Sequence, residues 1–301
     1  AIYYVEGMSL FDAVCHAMST IATGGFSTHQ ASIAWFDSPL IEYSCTVFMV
    51  LSGINFSLYY HASIGRWEVL WRNEEMRVYL GVVAGFSVLC VLLFYHGAVA
   101  DVADVVQSTL PVGFEQTLRA SVFHVASIIT STGFSASCYD YVGWGTTFFL
   151  PTIMLMCIGA CAGSTGGGIK IIRIMVAVKD SFNEFKLHLH PRAVLLVRFG
   201  GTLLEETKVM RALAFIFLYI LLLVISVFLL SLTGMDLATS MGSGISALSN
   251  VGPGMGMTGP ASTYAEVSPF AKWVFSLLML LGRLEIFTVL LLFMPDFWRN
   301  R

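Results

Sequence analysis

Residues 16–27 and 124–135 align without a gap and share His, Ser, Ile, Gly, Phe and Ser at six of twelve positions. Each run closes an apolar stretch of about 13 residues, whereas a helix needs ~20 to cross hydrocarbon. A third run, Ser246–Gly254, keeps a serine six residues before its glycine, as Ser19 and Ser127 stand before Gly25 and Gly133. Short apolar helices that end in glycine cannot span a bilayer, and they fit re-entrant segments. Non-helical backbone at membrane depth is stable only where protein or a water-filled cavity covers it.

Composition makes the membrane setting explicit. The chain has 301 residues, 56% hydrophobic and only 12% charged, against about 25% charged in soluble domains. Five apolar runs are long enough to be spans: roughly 40–60, 78–95, 146–180 (interrupted), 208–232 and 270–294. Between them lie shorter apolar helices at about 9–21, 115–129 and 236–248. Of 16 Lys and Arg, 13 fall in three places: Arg66, Arg72 and Arg77; the eight from Lys170 to Arg211; and Arg299 with Arg301. The stretch 95–116 carries Asp101, Asp104 and Glu115 and no basic residue. By the positive-inside rule the basic loops are cytoplasmic, so all three glycine segments open to the outer side. Hydroxyl-rich runs ending in glycine then suit a filter of backbone carbonyls that replaces the hydration of a cation.

The repeating unit is span, short pore helix, glycine segment, span. It predicts an all-α membrane protein organised as a partial second pore unit (1–61), a cytoplasmic loop (62–77), a third pore unit with a broken last helix (78–180), a cytoplasmic linker (181–206) and a fourth pore unit (207–301). The glycines at 25, 133 and 252 lie 108 and 119 residues apart. A carbonyl filter of the potassium-channel type uses four loops, so the spacing predicts a fourth segment upstream of residue 1. Trimeric closure by these three is the alternative.

The middle unit holds an anomaly, Gly159-Ala-Cys-Ala-Gly163-Ser164-Thr165-Gly166-Gly167-Gly168. Five glycines in ten residues break a helix, since each costs ~1 kcal/mol relative to alanine. A flexible gate and a packing kink are both compatible with it. The run Gly163–Lys170 lacks the GxxxxGK[ST] order of a phosphate-binding loop. Arg283, mid-span, needs a partner or a wet cavity; Glu285, two residues on, points elsewhere on a continuous helix. A pore-facing role and a structural ion pair are both open to Arg283, and Glu285 is the candidate second-ion carboxylate of a coupled carrier. Asn55 reads as interhelical glue, with a bond to the broken-helix loop as the alternative. Glu42 is the other polar residue of that span. His16 and His124 read as packing residues of the pore helices. The cysteines, Cys157 and Cys161 included, read as small buried hydrophobes.

The filter-like segments, Gly163-Ser-Thr-Gly-Gly-Gly-Ile-Lys170, His190-Pro-Arg-Ala-Val194 and Gly282-Arg-Leu-Glu-Ile-Phe287 together resemble the TrkH/KtrB superfamily of potassium transporters, and the His-Pro-Arg-Ala-Val run favours the TrkH branch. The resemblance covers essentially the whole chain. It implies a homodimeric, multi-pass potassium-uptake subunit of the bacterial inner membrane, partnered by a TrkA-like cytoplasmic nucleotide-binding ring and by lipid. It implies no nucleic acid and no organic cofactor, with K+ as the transported ion. The filter residues are then Ala22, Thr23, Gly24, Gly25 and Phe26; Thr130, Ser131, Thr132, Gly133 and Phe134; and Asn250, Val251, Gly252 and Pro253. Thr23, Gly24, Ser131, Thr132, Asn250 and Val251 are the expected ion ligands. The gate comprises Gly159, Gly163, Ser164, Thr165, Gly166, Gly167, Gly168 and Arg283. A neutral-solute channel, or a structural membrane protein with glycine packing turns, is the rival reading.

Overall fold

The described residues of the computed structural model are 1–95, 113–136, 146–193, 195–260 and 262–299. Asp101, Asp104, Cys138, Val194 and Arg301 lie outside them. In chain order run α1 (Ile2–Val5), α2 (Leu10–Ile21), α3 (Pro39–Ser52), α4 (Phe56–Ser63), α5 (Trp67–Arg72), α6 (Glu74–Tyr95), α7 (Phe114–Ile129), α8 (Thr146–Cys157) and α9 (Ile171–Leu189). A hairpin of β1 (Arg198–Phe199) and β2 (Thr202–Leu203) follows. The chain then continues through α10 (Glu206–Ser231), α11 (Leu237–Ser249), α12 (Pro269–Arg283), α13 (Ile286–Leu291) and α14 (Pro295–Arg299).

The three short helices expected from the glycine runs are α2, α7 and α11. Side chains fix where two of them begin: Ser9 Oγ accepts from the Asp12 N–H at 3.1 Å, and Asp236 Oδ2 accepts from the Thr239 N–H at 3.1 Å. An acidic residue stands in the first turn or cap of each, Asp12, Glu115 and Asp236, where it complements the positive end of the helix dipole. From Ala120 to Ile129, α7 is buried at every position but Val122, and nearly all of α11 beyond Ala238 is buried too. α11 achieves this with Ser, Gly and Ala, which let neighbouring backbones approach closely.

Only two helices among the described residues are long and apolar enough to cross a membrane unbroken, α6 over Glu74–Leu93 and α10 over Glu206–Ser231. The other three expected spans are interrupted. The run 40–60 bends by 94° between α3 and α4, because Gly53–Asn55 leaves the helix and the Asn55 side chain caps α4, its Oδ1 accepting from the Ser57 N–H at 2.9 Å. The run 146–180 breaks over the glycine-rich segment, as its composition predicts, but its second half continues to Leu189 and turns part of the expected linker into helix. It stops at His190, before Pro191, which disfavours helical backbone in the residue preceding it. The run 270–294 is two helices, with Glu285 at φ +65° between them.

The core lies around the pore helices. α1, α2 and α3 pack with Phe123, Ala126 and Phe134; α6, α8 and α9 surround the other face of α7; α10, α12 and α13 surround α11. One ion pair fastens α3 to α7: Arg119 reaches Glu42 at 2.6 Å and Glu115 at 2.9 Å, with Arg119 and Glu42 side chains only 14% and 12% exposed. Tyr43 donates to the same Glu115 at 3.0 Å. Substituting Arg119 with Ala strands the Glu42 carboxylate in the interior, and removing one member of a buried pair costs roughly 3–5 kcal/mol. The detergent-solubilised protein should therefore melt at a clearly lower temperature, whereas Glu42→Gln with Arg119→Met should recover most of the loss.

Candidate functional site

Each pore helix ends in the same backbone turn. The carbonyls of Ser19, Ser127 and Ser246 accept from the N–H groups of Gly24 (2.8 Å), Thr132 (2.9 Å) and Val251 (3.0 Å). This gives the serine six residues before each glycine a geometric role. At the next level the φ angles repeat: Thr23 (+50°), Ser131 (+53°) and Asn250 (+58°) are left-handed, and two residues later so are Gly25 (+68°), Gly133 (+80°) and Gly252 (+103°). Left-handed backbone at a non-glycine residue costs on the order of 1–3 kcal/mol and marks functional segments. Alternating the hand along the chain turns successive carbonyls toward one side.

The segments meet edge to edge. A Cβ on Gly25 would overlap the Thr132 carbonyl oxygen, and one on Gly133 would overlap the Val251 carbonyl oxygen and meet Pro253 Cδ at 2.8 Å. Among the described residues, the carbonyls of Gly24, Thr132 and Val251, all one place before the glycine, accept no hydrogen bond. The Phe134 carbonyl, by contrast, accepts from the Ser127 hydroxyl at 2.7 Å, and that of Gly252 from the Tyr264 hydroxyl at 2.8 Å. All three segments line one cavity of about 560 Å³, whose wall also includes Met279 and Arg283. A second recess of about 280 Å³ opens on the far side of the same glycines, beside His29, Ser135 and Tyr264. Phe26 is exposed, whereas its counterpart Phe134 is buried against His16. Pro253 lines both spaces.

The glycine-rich loop lies against the inner ends of the pore helices. Its own frame is short: the Gly159 N–H donates to the Ile169 carbonyl at 2.8 Å, and the Ile169 N–H to the Cys157 carbonyl at 3.0 Å, with Gly168 packed between. Thr165 Oγ1 donates to the Ile21 carbonyl of α2 at 3.2 Å. A Cβ on Gly166 would come 3.0 Å from the Thr130 carbonyl oxygen. The Gly167 N–H donates to Ser131 Oγ at 2.5 Å, and a Cβ there would overlap the Ser249 carbonyl oxygen of α11. The loop thus touches the terminal turns of all three pore helices, the ends that carry partial negative charge.

Two cations hold the loop by its carbonyls. Arg283 Nη1 donates to the Thr165 carbonyl at 2.9 Å, and Lys170 Nζ donates to that of Gly166. Gly163 packs on the Asn55 amide, its carbonyl accepting from the Phe56 N–H at 3.1 Å, and the Cys161 N–H donates to the Gly53 carbonyl at 3.0 Å. Ser164 turns its hydroxyl inward to the Cys161 carbonyl at 2.6 Å. Asn55 therefore meets the loop by packing while its amide oxygen caps α4. Glu285, meanwhile, is engaged by Arg173 at 2.6 Å, and Arg173 lies 3.8 Å over the Phe215 ring. The carboxylate considered for a second ion site is committed to this pair.

The turn that ends α11 is joined to the end of α12 through Asn250. Its amide, oriented to satisfy both atoms, donates to the Met279 carbonyl at 3.2 Å and accepts from the Arg283 N–H at 3.1 Å. Outside the spans, Asp12 is held below the usual carboxylate range by hydrogen bonds from the Thr28 and Ser9 hydroxyls, and Asp236 by the bond to Thr239. His16 is a packing residue with both nitrogens used: Nδ1 bonds the Asp12 carbonyl at 2.8 Å and Nε2 the Ser27 hydroxyl at 2.9 Å. Sequence reasoning missed Glu75, a buried acid bonded to the loop, and the Ser131 hydroxyl as a loop acceptor. Glu74 and Glu75 fall in the expected cytoplasmic loop 62–77, and no sequence signal says that one of the two turns inward.

A family profile described as "TrkH: Cation transport protein" matches residues 2–300. The chain is 39% identical over 301 residues to the Trk system potassium uptake protein TrkH of Salmonella typhimurium, covering 99% of this chain and 59% of that protein. It is 35% identical over 301 residues to TrkG of Escherichia coli K12, covering 99% of this chain and 58% of the relative. The crystal structure of the potassium transporter TrkH from Vibrio parahaemolyticus superposes with a TM-score of 0.87 at 35% identity, over 99% of this chain and 61% of the other. The chain thus spans about three-fifths of the length of these relatives. Repeated re-entrant helices, their shared backbone turn and the match across the whole chain make one conclusion: it belongs to the TrkH family of cation transport proteins and is a multi-pass protein of the bacterial inner membrane.

Proposed function

We propose that this chain forms three of the four filter segments of a potassium-uptake pore and the loop that gates it. The observation that carries the reading is the row of hydrogen-bond-free carbonyls at equivalent positions, Gly24, Thr132 and Val251, around one cavity. Backbone carbonyls lacking a protein partner are satisfied by water or an ion, and rings of carbonyls replace the hydration shell of K+. A fourth equivalent segment, in the part of the longer relatives that this chain does not span, closes the ring. The remaining carbonyls of Thr23, Gly25, Ser131, Gly133 and Asn250 sit in the same turns. The ionised Asp12 and Asp236 add negative potential at the entrance ends of the pore helices.

Beneath the filter, the loop from Gly159 to Gly168 is the gate. Its contacts with Ile21, Ser131 and Ser249 block the route that ions would take from the filter. Arg283 keeps the blocking position by bonding the Thr165 carbonyl, and it places a positive charge below the cation path. A TrkA-like cytoplasmic nucleotide-binding ring, which relatives named as parts of a Trk system suggest, relieves the block from the basic side. The protein works as a homodimer, and exposed apolar side chains along α10, such as Phe217 and Phe228, meet lipid or the second copy.

The test is rubidium uptake by the full-length protein in bacteria lacking their own potassium uptake systems, with and without sodium, a proton gradient and the regulatory partner. Uptake of rubidium and potassium that sodium fails to match supports the reading. Passage of neutral solutes at a comparable rate, or no ion uptake by protein that has reached the membrane, overturns it.

A further inference from the structure

Glu75, the second residue of α6, is 3% exposed and takes no part in the filter. Its Oε1 accepts from the Ala162 N–H at 2.7 Å and from the Ile172 N–H at 3.3 Å. The first bond grips the middle of the glycine-rich loop. The second supplies a cap to α9, whose own preceding residue, Lys170, makes no side-chain cap; a carboxylate is well placed at the positive end of that helix.

Glu74, one residue earlier, faces another way, because successive residues of a helix point about 100° apart. Its Oε1 pairs with Lys179 on α9, and its Oε2 accepts from the Gly200 N–H at 3.0 Å in the turn of the β1–β2 hairpin. Lys179 also donates to the Arg198 carbonyl at 2.9 Å. Two consecutive carboxylates on one span therefore hold the two ends of a single transmission line. At one end is the hairpin in the basic linker, at the other the loop under the filter, and between Lys179 and Ile171 runs about 12 Å of continuous helix.

We propose that Glu74 and Glu75 form a coupling element, in which Glu75 latches the loop in its blocking position and Glu74 ties that latch to the β1–β2 hairpin. The proposal rests on the gate reading above and assigns a route for its regulation. A partner that displaces the hairpin draws Lys179 away from Glu74. The movement shifts the start of α9 and parts Glu75 from the Ile172 and Ala162 N–H groups, which frees the loop. Glu75 is a positioning residue, since it touches the loop backbone and lies away from the ion path.

The experiment uses the full-length protein in proteoliposomes, measuring rubidium flux per inserted molecule with and without the regulatory partner. Glu75→Ala should raise partner-free flux by roughly tenfold, the effect of weakening the blocked state by about one lost hydrogen-bond acceptor. The preference for potassium over sodium should not change. Glu75→Gln, which keeps an acceptor oxygen and the side-chain volume, should give a smaller rise and serves as the reading if Glu75→Ala inserts poorly. Glu74→Ala, which removes the pair whose parting accompanies release, should raise partner-free flux by less than Glu75→Ala does and leave a smaller increase for the partner to produce. Wild-type partner-free flux in both Glu75 variants overturns the latch, and a full partner response in Glu74→Ala overturns the link to the hairpin. A variant lacking residues 166–168 separates the two levels. If it leaks while the Glu75 variants do not, the latch fails and the gate stands; if none leaks, the gate reading falls with it.

Discussion

Replacing Gly133 by valine in the full-length protein should abolish selective potassium uptake. Two independent penalties fall on this position. The backbone there has φ +80°, which side chains with a Cβ adopt at a cost of 1–2 kcal/mol or so, and more for a β-branched residue. The Cβ would also overlap the Val251 carbonyl oxygen and crowd Pro253, so the neighbouring segment must move. A carbonyl displaced by even a fraction of an ångström no longer matches the hydration it replaces. Growth of an uptake-deficient strain on low potassium should fail, with the protein still present in the membrane. Residual rubidium flux, if any, should discriminate poorly against sodium. Wild-type selectivity in this variant would show that the glycine is only a packing turn.

Removing Gly166–Gly168 should produce the opposite phenotype, a large ungated flux. These residues supply the Gly167 N–H bond to Ser131 and the close approach to the Thr130 and Ser249 carbonyls, so without them the loop cannot reach the ends of α7 and α11. A rise on the order of a hundredfold in partner-free rubidium flux corresponds to losing about 3 kcal/mol of preference for the blocked state. Arg283→Gln attacks the same state more gently. It removes one charge-assisted hydrogen bond to Thr165, of the kind that contributes about 1.5–3 kcal/mol, and it lifts a positive charge from the cavity wall. Its flux should rise by roughly tenfold or more. A deletion variant that inserts normally and carries no current would mean that the loop supports the pore instead of closing it.

The sequence carried the repeat far into the structure. Serine, five residues and glycine recur three times, and each copy closes the same turn through the serine carbonyl. The pattern was legible because a short helix followed by a left-handed turn is a local object, set by helix length, glycine and hydroxyl spacing. The glycine-rich break was legible for the same reason. Two other breaks were not. Gly53–Asn55 and Leu284–Glu285 lie in runs whose hydropathy suits an unbroken span, and tertiary partners hold both breaks: Cys161 and Phe56 bond around Gly53 and Gly163 beside the local Asn55 cap, and Arg173 pairs with Glu285.

The division has a physical cause. Hydropathy, charge layout and repeated local turns are properties of neighbours in the chain, so the sequence alone determined a membrane protein with three re-entrant helices and a broken one. Which groups meet across 87 to 118 residues, such as Glu75 with Ala162, Arg173 with Glu285 or Arg283 with Thr165, depends on how the spans pack. Two adjacent glutamates at a helix start look alike until packing buries one against the loop and leaves the other half-buried beside Lys179. The tertiary structure alone decided that Glu75 faces the loop, that Glu285 is held by Arg173, and that the glycine-rich segment rests against all three pore-helix ends.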